Sequence, residues 1–261
     1  MIGKNTIKLI HSLSVKKYRV IEKSFLVEGD KNVLEVVQSG YKVKQLFATE
    51  KFLSEHDGKF GNISLVGEVT SEEIKKASLL KNPQNCLAIC EIPEIKNLPS
   101  GLPDNLSLYL DGIQDPGNLG TIIRICDWFG ITHLFCSPDT ADFFNPKVIQ
   151  ASMGSFCRIN VWYTPFDLVL NLANQTGTTI LGAFLDGHNI FTETFPVKSL
   201  MVLGNEGNGI RKEIEQNIGK RIKIPSFAVN NNGAESLNVA VATGIICAEF
   251  RRQNLSPDYS K

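Results

Sequence analysis

The 261-residue sequence predicts an α/β fold, a mostly parallel sheet with helices on both faces, preceded by a second, smaller α/β domain. Three observations carry this reading. Short β-rich runs alternate with helical ones along nearly the whole chain, the pattern of parallel strands joined by crossover helices. The alternation is broken once, at residues 92–105, "IPEIKNLPSGLPDN", where three prolines and a glycine without periodicity read as a linker. Beyond the linker, several strands run straight into turns rich in Gly and Asn, and open parallel sheets bind ligands at the carboxyl ends of their strands. The division is therefore residues 1–98, linker 92–105, and residues 106–261.

In the first domain "SFLVEG", "VKQLFATE", "NISLVGEV" and "NCLAICEIP" read as strands and "DKNVLEVVQSG" as a helix. A further helix opens at the capping box Thr70-Ser71-Glu72-Glu73. The first 21 residues hold Lys4, Lys8, Lys16, Lys17 and Arg19 and no acid, so the first helix offers a cationic face. After the linker "LSLYLDGI" is a strand, and a helix capped by Asn118 runs to Phe129. "THLFCS" is a strand, and "NPKVIQASMG" a helix with Pro146 at its first turn. "RINVWYT", "TTILGAFLDG", "SLMVLGNEG" and "KRIKIP" are strands, with helices at "FDLVLNLANQ" and "RKEIEQNIG". Ser236 caps a closing helix whose buried stripe is Leu237, Val241, Gly244, Ile245 and Ala248, and Asn238 in its first turn is not needed for capping.

Composition removes several classes of function. The 27 Lys and Arg cancel the 27 Asp and Glu, so no overall charge draws the chain to nucleic acid, and a local patch has to do so. No charged segment leads into a long apolar one, so no signal peptide is expected, and no apolar run approaches membrane-spanning length. The six cysteines lie in apolar elements, and Cys86 and Cys90 form C-x3-C without a second pair, so no zinc site is expected. They read as buried free thiols in a reducing cytosol, which makes the expected location cytoplasmic.

Three strand-end loops hold the chemistry. In "DPGNLGTIIRICDWFG" Leu119, Ile122, Ile123, Ile125, Cys126 and Phe129 share one helix face and Arg124 points away from it. On that segment alone Arg124 reads as a solvated arginine. "LMVLGNEGNGIRKE" surrounds Glu206 with Gly204, Gly207 and Gly209, but it fits neither the P-loop nor the dinucleotide fingerprint. A nucleotide-dependent dehydrogenase therefore lacks its phosphate site. "IPSFAVNNNGAESLNVAVATG" carries Ser236 and Asn238 after a polar loop.

Together, in this order and spacing, the loops resemble the signature of the SpoU (TrmH-type) RNA 2′-O-ribose methyltransferases of the SPOUT superfamily. "NPKVIQASMGSFCRINV" is similar to the intermediate segment of that family, and the likeness covers residues 106–252. The first domain, with "KKYRVIEKSFLVEGDKNVLEVV", resembles the ribosomal-protein-like RNA-substrate-binding domain that precedes the catalytic domain in some members. The resemblance implies a C-terminal trefoil knot and an obligate homodimer with its active site at the subunit interface. It further implies S-adenosylmethionine bound bent against Gly204, Ile224 and Leu237, and a catalytic set of Asn118, Arg124, Glu206, Ser236 and Asn238. The substrate is then the ribose 2′-hydroxyl of rRNA or tRNA, rRNA before tRNA, with Lys16, Lys17 and Arg19 as RNA contacts and no metal. The loop at 226–235 is longer than is usual in the family, while Ser236-Leu237-Asn238 is intact. A non-catalytic RNA-binding or ribosome-assembly protein on the same scaffold is the alternative.

Overall fold

A computed structural model describes residues 1–94, 97–228 and 234–254 and resolves the chain into two compact units, Met1–Ile95 with Asp142–Cys157, and Lys96–Ala141 with Arg158–Lys261.

In the first unit α1 (Lys4–Ser12) and α2 (Lys16–Glu22) lead into β1 (Ser24–Glu28), α3 (Asp30–Val37), β2 (Val43–Ala48), α4 (Glu50–Glu55), β3 (Val66–Glu68), α5 (Ser71–Ala77) and β4 (Cys86–Glu91). The strands form a mixed sheet in the order β1-β4-β2-β3. α5 carries the expected capping box, with Thr70 and Glu73 satisfying each other's backbone N–H. The basic opening stretch is two helices rather than one, and α4, which has only six residues, was not legible as an element. α7 (Pro146–Ser152) and the 3₁₀ turn Ser155–Cys157 pack with this unit, where Phe25 meets Phe144 and Phe156.

Arg19 corrects the cationic-face reading. Its side chain is only 2% exposed, donates through Nε to Asp142 Oδ2 at 3.0 Å and through Nη1 to the Leu13 carbonyl at 2.7 Å, and is thus a core ion-pair residue. Removing one member of a buried pair strands the other charge. Arg19→Ala is therefore expected to lower unfolding free energy by about 3 kcal/mol, measured by urea denaturation. Lys16 and Lys17 remain exposed at the start of α2.

The second unit is built on a six-stranded parallel sheet in the order β10-β8-β9-β5-β6-β7. Its elements are β5 (Leu106–Asp111), α6 (Pro116–Trp128), β6 (His133–Cys136), β7 (Asn160–Tyr163), α8 (Phe166–Thr176), β8 (Thr179–Asn189), β9 (Ser199–Gly204), α9 (Lys212–Glu215), β10 (Lys220–Lys223) and α10 (Val239–Gln253). Every residue of the central β5 is buried, as a strand covered on both faces requires. One face packs Tyr109, Leu200 and Val202 against Phe166, Val169 and Ala173 of α8, and α6 packs with α10. Among the described residues no helix is long and apolar enough to cross a membrane.

Two helix starts differ from the sequence reading. α6 is capped by Asp115, whose side chain accepts from Asn118 N–H, with Pro116 in the first turn, so Asn118 is not the cap. α10 begins at Val239, and Asn238 is its cap, accepting from Ala240 N–H at 2.9 Å and Val241 N–H at 3.3 Å, so Ser236 does not open the helix. The buried side of α10 is Val239, Ala240, Thr243, Ile246, Cys247 and Phe250. Of the stripe expected to be buried, Gly244 and Ile245 are half-buried, Val241 (52% exposed) and Ala248 are exposed, and Leu237 (48% exposed) precedes the helix. Arg251 reaches across to the end of α6 and donates through Nε to the Phe129 carbonyl at 2.7 Å, serving another helix's C-terminus rather than its own.

Candidate active site

Three turns, at the ends of β5, β9 and β10, meet in one hydrogen-bonded chain of side chains. Asn118 donates through Nδ2 to Glu206 Oε1 at 2.5 Å and accepts at Oδ1 from Asn238 Nδ2 at 2.9 Å. A carboxylate only accepts, so Glu206 dictates which end of the Asn118 amide faces it. That leaves the Asn118 oxygen for Asn238, whose own oxygen is committed to the backbone of α10. The orientation of both amides is thus fixed from the carboxylate to the helix end, and the three loops are tied in one arrangement. Ser236, exposed, stands beside this relay rather than in it.

Glu206 sits on a loop that the sequence forces into a tight fold. A Cβ on Gly204 would lie 2.3 Å from the carbonyl carbon of Gly209, so only glycine lets the chain return on itself there. Asn205, which the sequence reading passed over, organises the turn. Its Oδ1 accepts from Gly207 and Asn208 N–H at 2.9 and 3.1 Å, and its Nδ2 donates to the Gly112 carbonyl at 2.7 Å.

Behind the turn, Arg211 joins Asp111 at the end of β5 to Asp139. Its Nη2 lies 2.9 Å from Asp111 Oδ1 and 2.6 Å from Asp139 Oδ1, and its N–H donates to Asp111 Oδ2 at 2.8 Å. Burial pushes the Asp111 carboxyl above the usual carboxylate range, while the Ser137 hydroxyl bond draws Asp139 below it. This bracket was invisible in the sequence because its members are far apart along the chain.

Beside the relay opens a cavity of about 1040 Å³. Gly204, Ile224 and Leu237 all line it, together with Ala183, Phe184, Leu185, Leu203, Ile222 and Val239. Glu206 and Ser236 face the same space. Residues 229–233 of the long loop at 226–235, and residues 95–96 of the linker, lie outside the described residues. Arg124 is on the exposed side of α6 as its helical position requires, and within the single chain it makes no hydrogen bond to the relay among the described residues. Among these residues no group of three or more His, Cys, Asp or Glu is placed to hold a metal ion.

Comparison with known proteins agrees with the geometry. Residues 105–248 match the SpoU rRNA Methylase family, and residues 4–88 match the MRM3-like substrate binding domain. The chain is 28% identical over 240 residues to the 23S rRNA (guanosine(2553)-2′-O)-methyltransferase RlmP of Bacillus subtilis, covering 92% of this chain and 93% of that protein. It is 30% identical to rRNA methyltransferase 3, mitochondrial, of Xenopus laevis, covering 94% of this chain and 73% of the other. The structure superimposes with a TM-score of 0.84 on an AdoMet-bound rRNA methyltransferase from Sinorhizobium meliloti, 29% identical over 98% of this chain and 97% of that one.

Proposed function

The chain belongs to the SpoU rRNA Methylase family, with the knotted C-terminal fold of that family, and from this membership we infer that it transfers a methyl group from S-adenosylmethionine to a ribose 2′-hydroxyl of large-subunit rRNA. The single observation that carries the reading is the relay Glu206–Asn118–Asn238 joining three strand-end turns at the rim of the cavity. The cavity suits the donor. Its volume is that of a small-molecule site, and its walls offer an apolar bed in Leu203, Ile222, Ile224 and Leu237. Of its carboxylates, Asp186 and Glu215 are paired with Arg221, which leaves Glu206 and Glu235 against Lys223, a lining that does not repel a sulfonium.

When bound, S-adenosylmethionine supplies a methyl carbon already made electrophilic by the sulfonium charge. What remains for the protein is to align the two reactants and to manage the hydroxyl proton. A guanidinium holds its proton to about pH 12, which makes it a poor base and a good partner for a developing alkoxide. Arg124 takes that role and clamps an RNA phosphate with its planar fork. Glu206 holds Asn118 and Asn238 in one orientation, and Gly204, Ile224 and Leu237 would bed the donor. Residues 1–98 serve as the RNA-substrate-binding domain, with exposed Lys16 and Lys17 beside Tyr18 on its surface, and residues 106–261 as the transfer domain.

The working form is a homodimer. α6 and α10 pack together and leave apolar residues uncovered, with Trp128 84% exposed on the one and Val241 and Ala248 exposed on the other. A patch of this kind marks an association surface, and a second copy would bring its own residues to the exposed Arg124. The relatives named for 23S rRNA favour rRNA over tRNA, and the proposed place of action is the cytoplasm. Mapping ribose methylation in RNA from cells with and without the gene tests the substrate. One large-subunit 2′-O-methyl group is expected to vanish. Loss of none, or of a tRNA ribose methyl group instead, would count against it.

A further inference from the structure

The ladder between β8 and β10 is interrupted in an unusual way. Arg221 pairs with Gly182 and the next residue, Ile222, pairs with His188, so residues 183–187 of β8 leave the sheet as an excursion. Four of them, Ala183, Phe184, Leu185 and Asp186, line the cavity, and Leu185 is 74% exposed there. An apolar excursion of this kind gains little from its own burial, so something else must hold it in one shape.

Arg221 does so from three directions. Its guanidinium carbon lies 3.6 Å from the centroid of the Phe184 ring, at the distance of a cation–π contact. Its Nη2 pairs with Asp186 Oδ1 at 2.5 Å, and its Nη1 pairs with Glu215 of α9, the carboxylate that anchors the arginine to the body of the unit. Gly187, at φ +151°, lets the chain re-enter the sheet directly over Arg221, since a Cβ there would stand 2.9 Å from the Arg221 backbone. Phe184 in turn sits over Gly182, where a Cβ would lie 2.6 Å from its ring.

We propose that Arg221 is a positioning residue for the methyl donor, holding the 183–187 excursion as a preformed wall of the cavity. Only a planar, multi-donor cation can stack on a ring and pair with two carboxylates at once, so lysine is a partial substitute. A wall already in its bound shape saves the ordering cost that binding would otherwise carry.

The inference rests on the donor-site reading above, and its test separates the two. Titration calorimetry of the full chain with S-adenosylhomocysteine is paired with amide hydrogen exchange of residues 183–187, in wild type, Arg221→Gln, Arg221→Lys and Asp186→Asn. The expected result is binding by wild type and about a tenfold or greater loss in Arg221→Gln. Arg221→Lys and Asp186→Asn should be intermediate, with faster exchange confined to 183–187 and turnover at saturating donor little changed. Equal affinity and equal exchange across the four proteins would overturn the positioning role while leaving the donor site standing. A loss of affinity accompanied by faster exchange throughout β5 and α6 would also overturn it, showing a general structural role. No binding by wild type would overturn the donor site itself, and this inference with it.

Discussion

Arg124→Ala is expected to lower methyl transfer about 100- to 1000-fold, or roughly 3–4 kcal/mol of transition-state stabilisation, while donor affinity and thermal stability stay at wild-type values. The side chain is exposed on α6, opposite a face built by buried Leu119, Ile122, Ile123 and Cys126, so its removal costs the core nothing. Its whole contribution would therefore lie in what it meets outside its own unit. Arg124→Lys distinguishes the two parts of the role. It keeps a positive charge near the alkoxide but loses the fork that grips phosphate, so it should recover part of the turnover and little of the RNA affinity. Steady-state transfer with labelled donor, with KM for RNA measured separately, reads both. Near-normal turnover of the alanine variant would remove Arg124 from the chemistry altogether.

Ala248→Glu is expected to convert the protein to a monomer and to abolish transfer, without loss of helix or of melting temperature. Ala248 lies on the open side of α10, and glutamate is a good helix former, so the single chain has no reason to object. In a two-fold dimer the change appears twice on one self-complementary surface. Two carboxylates forced into an apolar contact without partners cost several kcal/mol, enough to dissociate a dimer at micromolar concentration. Light scattering and circular dichroism, read beside the transfer assay, check the three outcomes. A monomer with full activity would mean that one chain holds the whole site.

The sequence was most legible where local chemistry decides. The strand-end turns around Asn118, Glu206 and Asn238 could be located because Gly and Asn interrupt otherwise apolar runs, Thr70 caps the helix it was expected to cap, and Pro146 opens α7 as expected. Helix starts failed where several capping residues compete. Asp115 and Asn118 both qualify, and Pro116 was the signal that settles it, since proline belongs in the first turn just after the cap. Ser236 and Asn238 posed the same choice without a proline. The stripe on α10 failed for a different reason. Periodicity says which residues share a face, not whether anything covers it: α10 is apolar on two sides, and the one holding Val239, Ile246, Cys247 and Phe250 is buried while Val241 and Ala248 stay exposed. Arg19 and Arg211 were misassigned or missed because their partners lie elsewhere in the sequence, Asp142 being 123 residues from Arg19 and Asp111 100 residues from Arg211.

The most direct test of the account is transfer of labelled methyl from S-adenosylmethionine to unmodified large-subunit rRNA by the purified protein, followed by alkaline hydrolysis. A 2′-O-methyl group blocks cleavage at its own phosphodiester, so the account predicts that the label appears in one alkali-resistant dinucleotide, and that Asn118→Ala and Glu206→Ala deplete it. Label released in mononucleotides would mean that a base is methylated. RNA binding without any label would make the chain a binding protein on this scaffold.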